Sequence, residues 1–140
     1  MDILVERKIP ASPDAVAGVM FNAARDPEWI GGAKSVEALT PGPIGLGSRV
    51  RRDGGFLGRK FSWVTEVTGF EPGRRVEMAF LEGPMQGGVT YEVRPADGGS
   101  IASVRNHGGA NFSVPGMAWM LKHSVSKDLD RLAGLVASER

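Results

Sequence analysis

Ile3, Val5 and Ile9 alternate with Leu4, Glu6 and Lys8, the period of two expected of a strand with one buried face. Arg7 falls on the buried side of that alternation. Ser12 then precedes Pro13 and Asp14, which reads as a helix N-cap, a proline at the first helical position and an acid in the first turn. Val16, Val19 and Met20 give this helix its apolar face. A second helical turn is predicted at Asp26–Trp29, ended by Gly31 and Gly32. Strand-like segments follow at residues 35–39, 48–52, 59–68, 75–81, 88–94 and 100–106. In two of them the alternation is clean: Val76, Met78 and Phe80 against Arg75, Glu77 and Ala79, then Val89, Tyr91 and Val93 against Thr90, Glu92 and Arg94. With the first strand they make seven. From Met117 to Val136 the period changes: Ala118, Leu121, Val125, Leu129, Leu132 and Val136 recur at steps of three and four, one face of a single long helix.

The turns fit this order. Among 20 glycines and nine prolines, clusters such as Pro41-Gly42-Pro43, Asp53-Gly54-Gly55, Glu71-Pro72-Gly73 and Asp97-Gly98-Gly99 separate segments of strand length. Such short connections join antiparallel strands and cannot make parallel crossovers. The expected class is therefore α+β: one antiparallel sheet of seven strands covered by the C-terminal helix. A helix about 10 Å across is narrower than the face of a seven-stranded sheet, so side chains or a ligand must fill the remaining gap.

Composition narrows the function. With 140 residues, the chain suits a single domain over residues 1–140. A net charge of +1 points to neither nucleic acid nor a strongly acidic partner. The absence of cysteine removes disulfides, thiolate metal sites and cysteine nucleophiles. No apolar run has the roughly 20 residues of a membrane helix, and Asp2, Glu6 and Arg7 do not make a signal peptide, so a cytoplasmic location is expected. Asn111-Phe112-Ser113 matches a glycosylation acceptor, read as chance in that setting.

Several segments together, Ile9-Pro10-Ala11-Ser12-Pro13-Asp14-Ala15-Val16, Asp26-Pro27-Glu28-Trp29, Gly45-Leu46-Gly47-Ser48-Arg49-Val50, Glu71-Pro72-Gly73-Arg74-Arg75 and Asp128-Leu129-Asp130-Arg131-Leu132, resemble the START/Bet v 1-like (SRPBCC) superfamily. The likeness is to its bacterial polyketide cyclase/dehydrase and lipid-transport branch and covers nearly the whole chain. It implies a helix-grip fold, in which the sheet wraps the long helix and two short helices after the first strand close one end of a cavity. It also implies a hydrophobic or amphipathic small ligand. Carriers, sensors and cyclases share these signatures, so no reaction follows from them.

Such a cavity is mostly apolar with a few polar groups that fix orientation. Tyr91 and Asn106 fall in dry-face register and either bind a ligand carbonyl or hydroxyl, or are respectively a core tyrosine and a strand-end turn residue. Arg7 either anchors a carboxylate or pairs with one such as Glu66, or lies at a sheet edge with its head in water. Trp63, in phase with Phe61 and Thr65, and Met78 and Phe80 are wall or core. Trp29, Met117, Trp119 and Met120 form an apolar set near the expected cavity entrance, and Leu121 starts the buried stripe. His107 and His123 are the natural acid-base groups for any proton transfer, but both are out of phase with their apolar neighbours. Without carboxylates at ligand spacing they suggest no metal site, and no cofactor motif occurs. Arg49, Arg51, Arg52, Arg59 and Lys60 read as a solvated hairpin face, with weak attraction to acidic lipid headgroups as the alternative.

The expected function is enclosure of a lipid, polyketide or aromatic metabolite. A cyclase/dehydratase using the same cavity and a protein-interaction module built on the Trp119 region are the competing readings. A monomer or a homodimer satisfies each.

Overall fold

The computed structural model describes residues 1–56, 58–110 and 115–139; the Asn111–Ser113 acceptor sequence lies outside them. Strand β1 (Asp2–Ile9) leads into helix α1 (Pro13–Met20), a 3-10 turn (Ala23–Arg25) and helix α2 (Asp26–Trp29). Then come β2 (Ala33–Ala38), β3 (Arg49–Phe56), β4 (Arg59–Glu71), β5 (Arg75–Glu82), β6 (Met85–Ala96), β7 (Gly99–Ala110) and the long helix α3 (Met117–Ser138). Ser12 caps α1 as its sequence implies: it is extended and its Oγ accepts from the Ala15 N–H at 3.2 Å. Pro13 at the first helical position loses no hydrogen bond there.

All seven strands join one sheet in the order β1-β7-β6-β5-β4-β3-β2, each neighbouring pair antiparallel. Several strands run longer than their apolar alternation indicates. β3 carries on through Gly54 and Gly55, which read as a turn, because bare backbone is what the sheet needs there. A Cβ on Gly54 would sit 1.8 Å from the Gly32 carbonyl oxygen, and one on Gly55 would sit 2.2 Å from that of Arg59. β4 shifts register against β5 between Val64 and Thr65 and again between Val67 and Gly69. Such irregularities bend the strand and increase its twist.

The core is sandwiched between the concave face and the helices. Val125, Leu129, Leu132 and Val136 of α3 are buried, each worth about 1.5–3 kcal/mol relative to exposure. Ala118, which the stripe places on the same face, is exposed and Leu121 only partly buried. The C-terminal turns of α3 therefore seal the core, while the first turns cover it incompletely. α1 and α2 pack on α3, and β1 runs beside it.

Candidate functional site

Under those first turns of α3 lies a cavity of about 150 Å³, bounded by α2, α3 and strands β3 to β7. Period two in β5, β6 and β7 turns Met78 and Phe80, Val89 and Tyr91, and Val104 and Asn106 toward it. β4 contributes Phe61, Trp63 and Thr65; α3 contributes Leu121, Ser124, Val125 and Asp128. Trp29, only 1% exposed, forms the wall at α2. Its ring meets that of Tyr91 edge-on, centroids 5.6 Å apart at 63°, and Phe61 and Trp63 lie tilted at 5.5 Å.

The candidates from the sequence divide accordingly. Trp29, Trp63, Met78, Phe80, Tyr91, Asn106 and Leu121 line the cavity, whereas Arg7 and Met117 do not. Arg7 shares the face of Val5 and Ile9, but β1 is an edge strand. Its long side chain reaches past the core to a surface ion pair with Asp130 of α3, and Glu66 pairs instead with Arg49. His107 lies over Gly88 at the sheet surface, exposed. His123 is exposed too, stacked on Trp119 at 5.4 Å and 3°. Neither histidine lines the cavity.

One end of the cavity is polar, and beside Tyr91 it gathers Arg52, Thr65 and Asp128, which the sequence pattern does not mark as site residues. Arg52, grouped by sequence with a solvated cluster, is 4% exposed; its Nε donates to Asp26 Oδ2 at 2.5 Å and its Nη1 to Thr65 Oγ1 at 2.7 Å. Asp26 is itself 1% exposed. Opposite, Asp128 Oδ1 accepts from the Gly31 N–H at 3.0 Å and from Arg131 Nη1 at 2.8 Å, tying α3 to the turn after α2. Burial pushes the Asp26 carboxyl above the usual range, against the pull of Arg52's charge and hydrogen bond. Burial likewise raises Asp128 against the Gly31 and Arg131 bonds. The Tyr91 phenol is driven up, first by burial and then by the charge of Asp26, so it remains a neutral O–H donor.

Two donors at this end lack acceptors. The Trp29 indole N–H is buried without a partner. The Tyr91 hydroxyl makes no hydrogen bond to a described residue and, unlike that N–H, is not sealed off by its neighbours. Among the described residues no three His, Cys, Asp or Glu side chains group as a metal site, and no helix is long and apolar enough to cross a membrane.

A curved antiparallel sheet gripping a C-terminal helix, with a small apolar cavity between them, defines a helix-grip protein of the START/Bet v 1-like superfamily. Residues 2–137 match the model of the family described as polyketide cyclase / dehydrase and lipid transport, and the chain belongs to that family. No curated protein matches its sequence. Solved structures share the fold at low identity. A START superfamily protein from Mycobacterium smegmatis superposes with a TM-score of 0.85 at 15% identity, covering 99% of both chains. A protein from Thermus thermophilus gives 0.79 at 20%, again over 99% of each. An AHSA1-like protein from Aeromonas hydrophila gives 0.72 at 14%, over 99% of this chain and 94% of the other.

Proposed function

We propose that the chain binds a small, largely apolar molecule in the cavity between its sheet and α3. The observation that carries this reading is the unfilled space of about 150 Å³ behind incompletely buried first turns of the helix. Protein interiors normally close such gaps, and an apolar cavity of about this size holds benzene. The capacity suits a single ring or the end of a chain better than a whole lipid. Burial drives the association, at about 25 cal/mol per Å² of apolar surface removed from water. Enclosure needs no reaction, and the placement of both histidines outside the cavity favours a carrier or sensor over acid-base catalysis by imidazole.

Native mass spectrometry of the freshly purified chain, with thermal unfolding in toluene-saturated buffer, tests the proposal. A non-covalent adduct or a raised melting temperature in toluene is expected. A bare mass together with an unmoved melting temperature would overturn it.

A further inference from the structure

The polar end of the cavity says more about the occupant than its size does. Tyr91 stands on the inward face of β6 with an O–H that no described residue accepts, beside the equally unpartnered N–H of Trp29. A hydroxyl that opens on an apolar cavity with no acceptor among the described residues marks a place for an acceptor supplied from outside the chain. The cations nearby are already matched, while Asp26 Oδ1 is a buried acceptor without a partner. Arg52 is bound to Asp26 and Thr65, and Arg131 to Asp128. No uncompensated cation is left for an anion, and a ligand carboxylate would have to approach two buried carboxylates. The rest of the wall, from Met78, Phe80, Val89, Val104 and Leu121, offers only apolar contact.

We propose that the occupant is a neutral single-ring compound bearing a carbonyl or similar acceptor oxygen, which takes the Tyr91 O–H while its ring lies against the apolar wall. This rests on the cavity reading above and adds to it a polarity, a charge and an orientation. Because Tyr91 stays protonated, its donor is available throughout the neutral pH range.

The test compares ethylbenzene, acetophenone and benzoate, which share one ring and differ in the group it carries, by titration calorimetry against the whole chain and its Tyr91→Phe variant. One net hydrogen bond corresponds to a change of several-fold, up to about tenfold, in affinity. Acetophenone should lose about that factor in the variant. Ethylbenzene should lose nothing or bind slightly better, since it leaves the hydroxyl unsatisfied in the parent. Benzoate should bind the parent at least tenfold more weakly than acetophenone. If ethylbenzene and acetophenone respond alike to Tyr91→Phe, or benzoate binds tightest, the inference is overturned while the cavity reading stands. Should none of the three bind the parent, the cavity reading falls and takes this one with it.

Discussion

Asp26 and Arg52 share a hydrogen bond with almost no access to water, so each charge depends on the other. Taking both out of water costs several kcal/mol that their attraction only roughly repays, whereas removing one partner strands the other. Asp26→Ala should therefore destabilise the fold by about 3–5 kcal/mol, read from urea unfolding. The double replacement Asp26→Leu with Arg52→Met, similar in volume, should recover most of that loss. Recovery by the double variant separates stranded charge from lost packing; an equal deficit in both variants would assign the cost to packing. The burial of Arg52 was readable in part, since Val50 points inward from β3 and Arg52, two residues on, shares its face. Arginine composition pointed the other way, and the partner lies 26 residues distant in sequence, where no local pattern reaches. For Arg7 the same phase left two outcomes open, and the sheet-edge one holds, because an edge strand beside a helix lets a long side chain escape to water.

At the scale of elements, Asp128 couples α3 to the turn after α2 through the Gly31 N–H, holding one rim of the cavity. Its carboxyl lies above its ordinary value of 3.8 in the folded chain because burial disfavours the charge. The folded state thus keeps this proton to a higher pH than the unfolded state does. Stability from that source is whole below about pH 3.8 and is lost as pH rises through the folded value. Asp128→Asn keeps a carbonyl oxygen for Gly31 and removes the titration. Relative to this variant, the parent should lose stability between about pH 4 and about pH 7, measured as urea midpoints of both chains at the two values. A difference that moves toward the parent with rising pH would reverse the assignment. The elements themselves were largely written in periodicity: α1 by its cap and proline, α3 by its stripe, β5 and β6 by alternation. Their ends were less legible, because glycines such as Gly54 and Gly87 extend strands by what they lack, and a missing side chain has no periodicity.

For the molecule as a whole, the question is whether the space beneath α3 is a built vacancy or packing left loose. Sheet curvature fixes how far the concave face stands from the helix, and the exposed Ala118 with half-covered Leu121 shows that α3 does not close that distance at its first turns. Val104 projects from β7 into the gap, which makes it the place to fill. In a close-packed core, enlarging a side chain this way costs about 1–3 kcal/mol. In a true vacancy the phenyl ring of Val104→Phe takes the place of the ligand, so stability should fall by less than about 1 kcal/mol, below that range. Ligand-linked stabilisation should disappear with it. A compound at about a hundred times its dissociation constant adds about 2.7 kcal/mol to the parent, and the filled variant should show none of this when melted in toluene. Loss of stability with toluene stabilisation intact would mean that the ring and the ligand occupy different places, and that the gap under the helix is not the binding site.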